Sequence, residues 1–105
     1  MAKPLHVTLP HNLSQAEAQR RIEDGLVRVR PQILHYVTSL EDRWSGNRLD
    51  FTLTALKQTI TGRIVVEADH VAVDLDLPWL LAAIAGKLRN QIERKGDTML
   101  RLPKA

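Results

Sequence analysis

An α+β fold, an antiparallel β-meander covered on one face by two helices, is predicted by three observations. Between Arg43 and Leu77 apolar side chains recur with period two, the pattern of strands with one buried and one wet face. On either side the spacing changes to three and four residues, which is helical. The junctions carry turn and capping chemistry rather than linker composition. The expected order is β-α-β-β-β-β-α, with about four meander strands, a short N-terminal strand and residues 1–105 forming a single domain.

Leu5, Val7 and Leu9 alternate between Pro4 and Pro10. The two prolines confine this strand to a short element near a sheet edge. Ser14-Gln15-Ala16-Glu17 is a capping box, in which the Ser14 hydroxyl accepts from the Glu17 N–H and the Glu17 side chain returns to Ser14. Leu13 is placed to staple onto Ala18. Ala18, Ile22, Leu26, Val29 and Ile33 then form one apolar stripe. Pro31 interrupts it, since a proline inside a helix removes a hydrogen bond and crowds the preceding turn. The helix therefore either kinks near Val27 or stops near Arg30 and restarts with Pro31 at a first position. Ile33, Leu34, Tyr36, Val37 and Leu40 continue the apolar pattern, so helix is expected to about Ser39.

Strands are expected at about 42–46, 48–55, 59–67 and 70–77. Leu49, Phe51, Leu53 and Ala55 oppose Arg48, Asp50, Thr52 and Thr54; Ile60, Gly62, Ile64 and Val66 follow; Val71, Val73, Leu75 and Leu77 oppose Ala72, Asp74 and Asp76. Ser45-Gly46-Asn47 and Asp69-His70 suit hairpins, and Leu56 to Thr59 reads as a looser connection. The last helix is expected to begin at Pro78, with a core stripe of Leu81, Ile84, Ala85, Leu88, Ile92 and Met99, weakening at Gly96 and ending at Pro103.

The chain has 105 residues and no cysteine. That excludes a disulfide scaffold, a thiol nucleophile and Cys-ligated zinc, and it suits a reducing cytoplasm. Met1 to Pro10 lacks the apolar core of a signal peptide. The run from Leu77 to Gly86 is about half the length of a membrane span. The net charge of +3 is uneven: residues 78–105 hold six bases and two acids. Such a face is a solvated helix surface or meets an anionic surface or an acidic partner.

No catalytic constellation stands out. His6, His11, His35 and His70 show neither helical nor strand ligand spacing, so no metal or other cofactor is expected. Asp74 and Asp76 share a strand face, which reads as ordinary wet sheet. Ser14, Ser39 and Ser45 lie in no nucleophile elbow. The glycines are isolated, so no phosphate-cradling loop exists. Aromatics are too few for a base-stacking platform, and nucleic acid is not expected as a partner.

The start of the last helix is more informative. Trp79, Ala82, Ala83 and Gly86 fall off the core stripe. Trp79 either seats a partner or an apolar surface there, or caps the end of its own sheet.

Several short motifs together resemble one known family. They are His11-x-Leu13-Ser14 with Glu17-Ala18; Arg43-Trp44-x-Gly46-x-x-Leu49-x-Phe51; Gly62-x-Ile64; Val71-x-Val73-x-Leu75 with Leu77-Pro78; and Ile92-Glu93. Across roughly residues 6–100 the chain resembles the polyhydroxyalkanoic acid system family, also called the granule-region family. It departs at Asn47, where that family tends to carry an acid, and in a longer segment before Trp44 that contains Pro31. The resemblance implies a small bacterial protein of the polyhydroxyalkanoate (PHA) system, granule-associated or regulatory, and it carries no catalytic residue or cofactor.

The resulting expectation is a cytoplasmic, non-enzymatic binding module. Trp79, Leu80, Ala83 and Gly86 would supply apolar contact, and Lys87, Arg89, Arg94 and Lys95 would supply attraction to a PHA granule surface or a protein partner. The alternatives are a small-molecule-binding protein with a pocket between helices and sheet, and a structural homodimer. The sheet is expected to be roofed by its two helices with no room left for chemistry.

Overall fold

The computed structural model describes residues 2–55 and 57–101. Its elements run β1 (Ala2–Pro10), α1 (Gln15–Leu34), β2 (Ser39–Ser45), β3 (Arg48–Ala55), β4 (Gln58–Val66), β5 (His70–Pro78), a 3-10 helix (Trp79–Ile84) and α2 (Ala85–Leu100). The five strands form one antiparallel sheet in the order β1-β5-β4-β3-β2. The α+β meander with an N-terminal edge strand and two helices is therefore as the sequence predicts, except that β1, expected to be short and confined by its prolines, is nine residues long and includes both Pro4 and Pro10.

β2 to β5 are joined by tight turns, as period-two segments separated by a few polar residues should be. Gly46 sits at φ 62° in the first turn, where its missing Cβ makes positive φ cheap. Asn47 completes that turn: its side-chain N–H donates to the Val66 carbonyl (2.8 Å), and the Val66 N–H donates to the Asn47 carbonyl (2.9 Å). A carboxylate at 47 could not make the first of these bonds. The connection expected to be loose is tight instead: Ala55 pairs with Gln58, and Lys57 takes φ 63°.

β1 lies beside β5, with Leu5 opposite Leu75 and Val7 opposite Val73. Since β1 and β2 are the two edges, α1 must carry the chain across the sheet. Four inter-strand steps span about 19 Å, and a helix of this length reaches about 30 Å, so one helix suffices. Ser14 caps it as expected, accepting from the Glu17 N–H at 3.1 Å, but the Glu17 side chain, expected to return to Ser14, accepts from Arg20 and Arg21 instead. The entry is also fixed by His11, whose Nδ1 accepts from the Leu13 N–H (3.1 Å) while its Nε2 meets the Glu67 carbonyl (3.0 Å). Gln15 donates to the Val66 carbonyl, Gln19 to the Gly46 carbonyl, and Arg30 pairs with Asp42 at 3.0 Å. The helix thus passes the turn end of the sheet and arrives over β2.

Pro31 neither breaks nor restarts this helix, which runs unbroken to Leu34. It lies in the last turn, and the carbonyl it leaves without a helical donor is that of Val27, a residue 72% exposed to water. Helix does not continue to Ser39, because Ser39 already pairs with Thr54 in the sheet. Leu40, counted above in a helical pattern, belongs to β2.

The core is aliphatic. Leu5, Val7, Leu9, Ala18, Ile22, Leu49, Val66, Val71, Leu77 and Leu100 are buried. α2 packs along β1, where Gly96 is buried against Leu9; a Cβ at 96 would strike that leucine. The helix does not fray at Gly96 as expected but continues to Leu100, and the glycine is a packing site. Pro103, expected to end the helix, lies outside the described residues. α1 and α2 meet where Gly25 accepts the Met99 side chain. Arg21 adds a bond there, donating to the Leu100 carbonyl at 3.0 Å.

Two predictions follow from these contacts. Gly62 lies between Phe51 and Leu75 in the register, and a Cβ there would come within 2.8 Å of the Asp74 carbonyl besides crowding both side chains. Gly62→Ala should lower unfolding free energy by about 1–3 kcal/mol, read by urea titration. Glu17 is held down from 4.5 to about 2 by its bonds to Arg20 and Arg21. A depressed carboxyl stabilises the fold above its unfolded value and loses that contribution as pH falls through the folded one. The difference in melting temperature between wild type and Glu17→Gln should therefore be constant above about pH 5 and close between there and about pH 2.

Candidate functional site

The segment after β5 departs from the expected helix. Pro78 remains in the strand, opposite Ala2, and Trp79–Ile84 forms a 3-10 helix before α2 begins at Ala85. In a 3-10 helix residues i and i+3 eclipse, so Leu80 stands in line with Ala83, and Leu81 with Ile84. Trp79 is 66% exposed, Leu80 54% and Ile84 40%. Leu81 packs against the core. Trp79 therefore does not cap its own sheet, and Ile84 leaves the core stripe in which helical counting had put it. Ala83 and Gly86 are exposed beside them, with open space around Gly86. Three large apolar side chains face water within six residues.

The four basic residues do not form one face. Lys87 is exposed one turn beyond the apolar cluster. Arg89 donates to the His6 carbonyl at 2.7 Å and ties α2 to β1. Arg94 borders a shallow groove with Thr8, Pro10, Glu93 and Asp97, the last of which pairs with Arg101 at 3.1 Å. Lys95 stands elsewhere, at the lip of a cavity between the helices.

That cavity is the largest departure from the expected closed roof. Arg30 fixes the end of α1 at β2, while Arg89 fixes the start of α2 at β1, the opposite edge. The helices touch at Gly25 and Met99 and diverge from there. Between them lies a wedge of about 380 Å³. Leu26, Val29 and Ile33 form one wall, Leu88 and Ile92 the other, and Leu53, Ile60 and Leu75 lie on the floor. Charged and amide side chains come only from Arg30, Asp42, Gln91 and Lys95 at the lips.

The outer sheet face carries an arrangement that the sequence did not suggest. Register places Arg43, Asp50, Arg63, Asp74 and His6 in one row across all five strands, with charge alternating in sign from Arg43 to Asp74. Within it His6 Nδ1 lies 2.6 Å from Asp74 Oδ1, and His6 Nε2 lies 3.2 Å from Thr8 Oγ1. A hydroxyl, an imidazole and a carboxylate in series can relay a proton. Here the His6 side chain is 59% exposed and sits on an open sheet, where water competes for each bond. It is read as a cross-strand pair. No spacing rule finds it, because His6 and Asp74 are 68 positions apart. Among the described residues no three His, Asp or Glu side chains converge as a metal site, and no helix is long and apolar enough to cross a membrane.

Residues 5–100 match the family model described as "Putative polyhydroxyalkanoic acid system protein". The chain belongs to this family. Its family name links it to the PHA system. A search of curated proteins returns no match. The motifs that carry the resemblance are mostly architectural: His11 and Ser14 enter α1, Arg43 to Phe51 is the β2–β3 hairpin, and Leu77-Pro78 ends β5.

Because Trp79 contributes little to the interior, Trp79→Ala should change unfolding free energy by no more than about 0.5 kcal/mol. A buried tryptophan would cost about 3–5 kcal/mol; urea unfolding followed by circular dichroism separates the two.

Proposed function

We propose that this member of the family is a non-enzymatic binding module that docks on the surface of PHA granules through its 3-10 helix. The exposure of Trp79, Leu80 and Ile84 together on one short segment carries this reading. Isolated apolar residues on a surface need no explanation, whereas three on one six-residue segment point to an interaction site. Trp79 leaves on the order of 100–150 Å² to be buried, worth about 3 kcal/mol. Leu80 and Ile84 add to that. Such a gain supports reversible interfacial binding, comparable to a single weak anchor.

Lys87 supports the same orientation, since it lies on the rim of the apolar cluster, where a cation can meet an anionic surface while its stem packs on apolar neighbours. Arg89 and Lys95 are better assigned to other tasks, the first to holding α2 and the second to the wedge. Arg94 borders a separate groove beside β1. The functional surface is thus narrower than the basic helix as a whole. In this reading the protein works in the cytoplasm of a PHA-accumulating cell.

Granules isolated from such cells test it. Wild-type protein should be recovered with the granules, Trp79→Ala should lose most of that recovery, and Lys87→Glu should lose part of it in a salt-dependent way. Equal recovery of all three, or absence of the wild type from granules, ends the proposal.

A further inference from the structure

We infer that the wedge between α1 and α2 is a binding site for one aliphatic chain bearing an anionic head, of the fatty-acyl type. The inference does not rest on docking through Trp79. Its volume of about 380 Å³ falls within the roughly 300–1,000 Å³ of small-molecule sites. The walls and floor are aliphatic apart from Phe51. A ligand group with its own donors or acceptors would go unpaired inside, at a cost of at least about 1–3 kcal/mol each. Sugars and nucleotides are therefore poor occupants, and hydrocarbon is a good one.

The polar part of the occupant has to stay at the lips, and the charge there sets its sign. Arg30 and Asp42 neutralise one another at 3.0 Å. Gln91 is neutral. Lys95 has no ion-pair partner among the described residues. The lips thus carry one uncompensated positive charge above an apolar interior. A carboxylate or other acyl anion complements it; an alcohol of the same length lacks the matching charge.

The wedge is also a product of the fold rather than of a missing side chain. Its helices are pinned to opposite edges of the sheet, so closing it would require breaking Arg30–Asp42 or Arg89–His6.

Delipidated full-length protein is titrated with cis-parinaric acid, a fluorescent fatty acid, below its self-association range, and the probe is then displaced. Wild type should bind one molecule per chain, with dodecanoate displacing it at least about fivefold better than dodecanol. Lys95→Glu should weaken dodecanoate by a similar factor and leave dodecanol unchanged. Leu53→Trp, which fills the floor, should abolish both. If that variant does not fold, Val29→Trp on the partly exposed wall replaces it, with melting temperature as the control. Trp79→Ala should bind dodecanoate like wild type even if it no longer joins granules. Failure of wild type to bind, many probes per chain, equal binding by a folded filled variant, or a dimer that occludes the wedge and takes up no probe would each overturn the inference.

Discussion

The pairing of β1 with β5 is the constraint on which the rest of the molecule depends. It puts the first strand at one edge of the sheet and leaves the second at the other. The connection between them can only pass over a sheet face, and the apolar face is the one that a helix with an aliphatic stripe can cover. α2, arriving from β5, then has only the β1 side left. A pair of helices directed to opposite edges can touch once but cannot stay in contact along their length. The wedge follows from topology, and its apolar lining follows from the inner face of the strands continuing beneath it.

The same register organises the wet face. Arg43, Asp50, Arg63, Asp74 and His6 occupy successive strands in one row. Opposite charges directly across a ladder favour this pairing by about 0.2–1 kcal/mol each, and a slip of one residue would move every one of them to the apolar side. Arg48 takes part too, bonding Asp50 two residues along its own strand. The row therefore reinforces the register that the buried Leu49, Ile64, Val73 and Val7 set from the other face. At the β2 edge, Glu41 and Arg43 present charge where an unpaired strand could otherwise recruit another chain.

What could be read in the sequence was what depends on neighbours along the chain. The period-two segments, the Ser14 cap and the Gly46 turn are local devices, and each stands where its pattern put it. What could not be read depends on contacts distant in sequence. Gly25 and Gly96 count as weak helix positions by propensity, yet both are buried because Met99 and Leu9 occupy the space a side chain would need. Leu40 fitted a helical count only until its partner Leu53 was known. Pro78 is a favoured helix start and was instead retained by the β1 ladder. The apolar cluster was partly legible: Trp79 and Leu80 were singled out, but Ile84 was counted in the core stripe with Leu81 and instead stands 40% exposed. The wedge was legible only as an alternative, a pocket between helices and sheet, and its shape could not be read, since it is set by the tertiary contacts Arg30–Asp42 and Arg89–His6.

These departures are informative because they concentrate. A sequence whose propensity, pattern and packing agree elsewhere tends to break its own rules at sites kept for something other than folding. Here two such breaks are the exposure on the 3-10 helix and the incomplete filling between the helices; Val27, Leu34 and Tyr36, exposed towards and just after the end of α1, are a third. Burying Trp79 or filling the wedge would each increase apolar burial, so neither is explained by stability. The two regions are served by different residues: Lys87 adjoins the first, whereas Lys95 and Arg30 border the second. A surface anchor and an internal chain-binding site can thus coexist in one small domain, and substitution of Lys87 or Lys95 leaves the core strands and the α1–α2 contact at Gly25 untouched.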